Sequence, residues 1–169
     1  FLNKYELNNT RYCHFFYPEI KQFVDEKELK NLEEELLSIN DDIFTSYEEK
    51  RHLGENDSYI CSLIRNDSIE EFISYVTKEN ISLSIKVPMS KYETNYILIE
   101  NNATLCDYAA FYGSIQIFQY LKYNKVQLKS NLWIYAIHSK NADLIHFLEE
   151  YCVDPPNNSY EDCFIESIK

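Results

Sequence analysis

The sequence predicts an all-helical fold, an N-terminal helical region followed by a short helix-turn-helix solenoid, and three observations carry that prediction. Apolar residues recur at three- and four-residue steps with charged residues between them, which is the spacing of amphipathic helices. Glycine is nearly absent. Two Gly and four Pro in 169 residues leave too few turn-formers for a β-sandwich or barrel, and no glycine-rich loop to cradle a phosphate. The second part of the chain also repeats itself in helix pairs.

Taken in order, residues 1–50 form the N-terminal helical region. From Tyr17 to about Ser46, the residues Ile20, Phe23, Val24, Leu29, Leu32, Leu36 and Ile39 mark one apolar helix face. Pro18 followed by Glu19 suits a first helical turn, and Asn40-Asp41-Asp42 suits a break or a fresh cap. Ile43, Phe44 and Tyr47 then open a second short helix. The stretch from Glu48 to Ser58 is polar and holds Gly54, so a boundary falls there and residues 51–169 are read as the repeat region.

Residues 104–128 hold the clearest unit. Shifted by 27 positions, Thr104 to Leu121 overlays Asn131 to Leu148: Leu105 falls on Leu132, Tyr108 on Tyr135, Ala109 on Ala136, Ile117 on Leu144, Phe118 on Ile145 and Leu121 on Leu148. An earlier copy at 59–80 is offset by 45 or 46 positions, with Ile60, Leu63 and Ile64 on a first helix and Ile69, Phe72, Ile73 and Val76 on a second. A further unit occupies 131–155, and a truncated one starts from 160 with Cys163, Phe164 and Ile165. That truncation, with Phe1 at the start, reads as a piece of a longer protein. Polar turns part the two helices of each unit: Asn66-Asp67-Ser68, Gly113-Ser114 and Ser139-Lys140-Asn141. Neither helix buries its apolar face alone, so stacking on neighbouring units completes the core. The larger first offset leaves an insertion at 81–102, where Ile85, Val87, Tyr96, Ile97 and Leu98 form a hairpin or a long packed loop.

Thr104 to Leu121 resembles the ankyrin repeat pattern, T-P-L-H-x-A-A-x-x-G followed by a second helix with paired aliphatics and a closing Leu pair. Thr104, Ala109, Ala110, Gly113, Ile115, Ile117, Phe118 and Leu121 match it. Leu105, Cys106 and Asp107 replace the Pro-Leu-His core, so neither the family's histidine hydrogen bonds nor capping from that motif is expected; in the next unit Ile137 stands for the second Ala and Lys140 for Gly. The wording Ala-Ala-Phe-Tyr-Gly-Ser-Ile-Gln-Ile-Phe and Tyr-Ala-Ile-His is also similar to the large ankyrin-like proteins of trichomonad protists, whose repeat domain has no assigned function. The resemblance spans about residues 51–169.

It implies a protein-protein interaction module, a scaffold or adaptor rather than an enzyme, with no catalytic residue, cofactor or metal site. The positions it implies for partner contact are Tyr108, Phe111 and Tyr112 in one unit, Tyr135, His138 and Ser139 in the next, and Ser62, Arg65 and Asn66 in the first. Two arrangements fit these residues. Exposed in register, the aromatics form a stripe suited to a partner protein, since Tyr supplies a large contact area at low entropic cost. Folded inward, they fill the space left by short loops and missing glycines. Trp133, by the same pattern, faces the core.

The formal net charge of −12, with acidic residues from Asp25 to Glu150, repels phosphate backbones and excludes nucleic acid as a main partner. No apolar run approaches the roughly 18 residues of a membrane span. Five cysteines, Cys13, Cys61, Cys106, Cys152 and Cys163, lack the spacing of a disulfide frame or zinc site and read as small buried residues in a reducing compartment, which places the protein inside the cell, in the cytoplasm. Sequons at Asn8, Asn56, Asn66, Asn102 and Asn157 are expected to arise by chance in an Asn-rich chain. His138 and His146 fall on different helices, Cys13-His14 stands alone, and His52 reads as a solvated loop residue, so no nucleophile and base are paired by spacing. The alternative function is a regulatory or substrate-recruiting segment of a larger enzyme whose catalytic domain lies outside this sequence. Oligomeric state is not legible.

Overall fold

The structure, a computed structural model, describes residues 15–39 and 47–168. Among them the protein is all-helical, with eleven α-helices, one short 3-10 turn and no strand beyond a single antiparallel bridge between Lys86 and Thr104. The chain divides into two compact units, residues 1–57 with 89–95, and residues 58–88 with 96–169. The division therefore comes later than the expected residue 51, because the polar stretch after Tyr47 is not a linker but a helix.

In the first unit, α1 (Tyr17–Ile20) has Pro18 in its opening turn, where a missing N–H costs nothing. It does not run on as the apolar spacing predicts. The Asp25 carboxylate accepts the N–H groups of Lys27 at 3.0 Å and Glu28 at 2.8 Å, which starts a new helix, α2 (Glu26–Ile39). Phe23, counted on the expected apolar face, sits in the intervening turn and is 83% exposed. Asn40 to Phe44 lie outside the described residues, and α3 (Tyr47–Leu53) follows, with His52 exposed on its last turn rather than in a loop. Arg51 of α3 pairs with Glu19 of α1 and holds that carboxyl below its ordinary range. Tyr47 donates to the Phe15 carbonyl at 2.7 Å, and burial pushes its phenol up to about 12. Gly54 ends α3 at φ +66°, and Thr94 closes on it, its N–H and hydroxyl both donating to the Gly54 carbonyl at 2.9 Å. A Cβ at position 54 would stand 2.7 Å from the Thr94 hydroxyl, so only glycine fits.

The second unit is built from helix pairs: α4 (Tyr59–Arg65) with α5 (Ile69–Lys78), then α7 (Leu105–Tyr112) with α8 (Ile115–Tyr123), and α9 (Leu132–Ser139) with α10 (Ala142–Glu150). A single helix, α6 (Tyr96–Glu100), precedes α7, and α11 (Glu161–Ser167) closes the described chain. The first helices pack in sequence, α4 on α7, α7 on α9 and α9 on α11, while α5 packs on α8. Phe72 meets Tyr120 between α5 and α8, and Phe118 meets Phe147 between α8 and α10, at ring separations of 6.1 and 5.4 Å. One apolar core runs through all of them, from Ile60 and Ile64 through Phe72, Leu105, Phe118 and Leu132 to Leu148 and Cys163. Each large side chain sealed in it contributes roughly 1.5–3 kcal/mol.

Helix ends show why the units repeat. The second helices stop with a residue at positive φ, Asn80 (51°), Lys125 (65°) and Cys152 (49°), after which an apolar residue donates its N–H back five positions: Ile81 to Val76, Val126 to Leu121 and Val153 to Leu148, at 2.9, 3.1 and 3.0 Å. This is the Schellman closure, which satisfies carbonyls a helix end leaves open. The lone α6 ends the same way, with Asn102 at φ 48° and Ala103 donating to Leu98 at 3.1 Å. The long offset between the first two pairs thus contains an extra second-type helix, not a hairpin. The remainder of residues 81–102 is irregular, with a turn at Leu83 and Ser84, Val87 donating to Ala103 and Ile85 accepting from Leu105 before the chain leaves this unit at Pro88 and returns at Tyr96.

Caps also cross between pairs. Asp67, in the turn of the first pair, accepts the N–H groups of Gln116 and Ile117 at 3.0 Å and so caps α8, while Ser114, at the N-cap of α8, instead donates its hydroxyl to the Ile64 carbonyl at 2.5 Å. Asn141 caps its own α10 through the N–H groups of Asp143 and Leu144, and its amide donates to the Gly113 carbonyl at 3.0 Å. Gly113 (φ 73°) and Lys140 (φ 54°) hold matching turn positions after α7 and α9. A left-handed residue with a Cβ costs about 1–2 kcal/mol relative to glycine. Gly113→Ala should therefore destabilise the chain by about 1 kcal/mol and Lys140→Gly should stabilise it by up to about that much, read from denaturant midpoints at equal slope.

Candidate partner-binding surface

The C-terminal halves of α4, α7 and α9 bring together the residues that the sequence puts forward for partner contact, but several of them face inward. Tyr108, Phe111 and Tyr135 are buried, with Tyr108 at 0%, Phe111 at 5% and Tyr135 at 1% exposure, so these three take the inward one of the two arrangements open to them. The reason lies in the neighbours. Ala109, Ala110 and Ala136 let the first helices approach closely, and the large rings fill the space between successive pairs.

A ladder of side chains runs from one first helix to the next. Arg65 Nη1 of α4 donates to the Tyr108 hydroxyl of α7 at 2.7 Å, and its guanidinium lies 5.9 Å over the Tyr112 ring. Tyr112 packs on Tyr108 at 4.7 Å and on Phe111 at 5.1 Å. Phe111 reaches α9, meeting Tyr135 edge-on at 6.2 Å and stacking on His138 at 4.1 Å with the planes 16° apart. His138 Nδ1 in turn lies 2.7 Å from Glu166 Oε1 of α11. Charge at one end and a carboxylate at the other bracket a continuous aromatic run.

Exposed or half-exposed along this line are Asn66, Arg65, Tyr112, His138 and Ser139, and these are the predicted positions a partner can reach. Ser62, half-buried, spends its hydroxyl on the Tyr59 carbonyl. Trp133 is buried, and its indole N–H donates to the Val153 carbonyl at 2.7 Å.

The capping that the altered motif takes away is supplied by its replacement. Thr104 Oγ1 accepts from the Asp107 N–H at 3.3 Å while Asp107 Oδ2 accepts from the Thr104 N–H at 2.8 Å, a reciprocal box at the start of α7. Asp107 also takes an N–H from Asn131 at 3.1 Å, which ties α7 to the start of α9. Cysteines divide: Cys61, Cys106 and Cys163 are buried, whereas Cys152 is exposed in a left-handed turn and Cys13 lies outside the described residues. Burial, aided by Asp107, pushes the Cys106 thiol well above its ordinary range.

A second feature lies outside the residues expected from the sequence. Between Asp107 and Asp143 the chain has four lysines, Lys122, Lys125, Lys129 and Lys140, and no acidic residue, although the net charge of the whole is −12. Three of them, Lys122, Lys125 and Lys129, line an open groove of about 1010 Å³ between residues 126–131, after α8, and residues 151–158, after α10. Counting charge in a sliding window, rather than over the chain, would have found it.

No family model matches the chain, and neither a curated protein nor a solved structure does. Among the described residues no helix is long and apolar enough to cross a membrane, and no three His, Cys, Asp or Glu side chains gather as a metal site.

Two outcomes follow from the inward rings. Phe111→Ala removes a ring shared by α7 and α9 and should cost roughly 3–5 kcal/mol, seen as a large fall in the thermal midpoint. Burial raises Tyr108 and Tyr135, so the folded chain keeps both phenols neutral where unfolded ones ionise, near about 10. Their stabilising effect is complete below that pH and is lost as pH climbs above it. In an alkaline titration, a fraction of the phenolate absorbance should appear only as helical dichroism collapses.

Proposed function

We propose that the chain is a protein-binding module, an ankyrin-like scaffold or adaptor that holds another protein along the ends of its first helices and does no chemistry of its own. One observation supports this reading above the others. The first helices α4, α7, α9 and α11 pack side by side, so their C-terminal ends and the turns after them form a row in which each pair adds one more set of accessible side chains. Asn66, Tyr112, His138 and Ser139 are the members of that row.

The ladder beneath supports the same reading. Arg65, Tyr108, Phe111 and His138 fix the spacing of successive turns, so a partner meets a surface already ordered and pays little to order it. Several polar groups inside the stack are occupied with holding it: Asp107 caps α7, Tyr108 accepts from Arg65, and Cys106 is held as a thiol. A thiol kept protonated by burial is a poor nucleophile.

The test uses bulk at one exposed and one half-exposed position. Asn66→Arg with Ser139→Arg should leave the thermal midpoint within a few degrees, because surface changes are worth about ±0.5 kcal/mol, and should abolish capture of the proteins that the unaltered chain retains from a cell extract. An unaltered chain that captures nothing, or a variant that keeps every partner, overturns the assignment.

A further inference from the structure

We propose that the groove between residues 126–131 and 151–158 docks an extended, acidic peptide segment of a partner protein; the inference deepens the protein-binding reading above and rests on it. Charge carries the argument. Several cations elsewhere have carboxylate neighbours, Lys30 with Glu34, Lys50 with Asp57, Arg51 with Glu19 and Lys78 with Glu79, so what sets the groove apart is that its lysines lie together. Among the described residues Lys122, Lys125 and Lys129 form no such pair, and they converge on one groove in a stretch free of acidic residues. Asp154 is the carboxylate among the lining residues, and it is exposed. The local excess is positive in a chain that is otherwise strongly negative.

Shape and order point the same way. Among the polar lining residues stand four apolar ones, Val126, Leu128, Val153 and Pro155, all buried or half-buried, which suits a segment that alternates acidic and apolar side chains. Both walls are held in place. Lys122 Nζ sits 4.9 Å over the Tyr151 ring, Tyr151 stacks on Phe147 at 4.5 Å, and the Trp133 indole ties down Val153. Lys125 follows the C-cap of α8 at φ 65°, a position set by the helix closure rather than by a wandering loop.

The same features favour a short peptide over a nucleic acid. A long polyanion reaches beyond the groove and meets the negative remainder of the chain, whereas a short acidic segment lies within about one Debye length, roughly 8–10 Å, of the three ammonium groups. The bases also lack a platform, because Lys122 and Phe147 already cover the Tyr151 ring.

The experiment titrates the full chain against three dye-labelled probes, a short peptide of Asp and Glu with interspersed Leu, its Lys-substituted counterpart and a single-stranded oligonucleotide, read by fluorescence anisotropy at two salt concentrations. The acidic peptide alone should bind, more weakly at higher salt, and Lys122→Glu with Lys125→Glu and Lys129→Glu should weaken it at least about tenfold. Lys78→Glu should change nothing. If charge reversal unfolds the chain, the three Lys→Gln changes carry the same expectation. Binding that survives the triple variant, equal binding of the basic peptide, tighter binding of the oligonucleotide, or no binding at all overturns the groove. Failure here with partner capture intact removes only this site, while a chain that captures no partner removes the protein-binding reading itself.

Discussion

The structure depends on a helix that has no face for water. In α7, Leu105, Cys106, Asp107, Tyr108, Ala109, Ala110 and Phe111 are all buried, so seven of its eight residues need something against them. A helix of two turns is not stable by itself. It exists because α4 lies on one side, α9 on the other and α8 behind, and each of those is short in the same way. Stability therefore resides between elements rather than within them. The crossing caps express this directly, since the turn of one pair satisfies the helix start of the next through Asp67, and Asn141 reaches back to Gly113.

The same constraint explains which parts of the fold could be read from residues and which could not. Apolar spacing and the lack of glycine sufficed for the all-helical class, because both are local properties. Local reading misjudged Phe23, whose place in the period was overruled by the Asp25 side chain starting a new helix two residues later. In the insertion, read as a hairpin or a long packed loop, Ile81 to Val87 do pack on the core as loop, but Tyr96–Glu100 forms a helix closed by Asn102. Asp107 replaces the motif's histidine, yet an aspartate three residues after a threonine can complete a capping box.

Candidate contact residues were harder for a related reason. Whether a tyrosine on a first helix points to solvent or to the next helix depends on how close that helix comes, and closeness is set by Ala109, Ala110 and Ala136 across the gap. The outcome splits the set. Tyr108, Phe111 and Tyr135 are buried in the stack, and Asn66, Tyr112, His138 and Ser139 are exposed or half-exposed. The lysine groove escaped notice because a chain total of −12 conceals a local excess of the opposite sign.

Native-state hydrogen exchange tests the central claim most directly, that helix pairs of the second unit share one continuous core and stand or fall together. Buried amides of α7 and α9, at Ala109, Ala110, Tyr135 and Ala136, should exchange with a common free energy equal to that of global unfolding and fall together in denaturant. Independent exchange, with α9 opening at low cost while α7 stays protected, would contradict it.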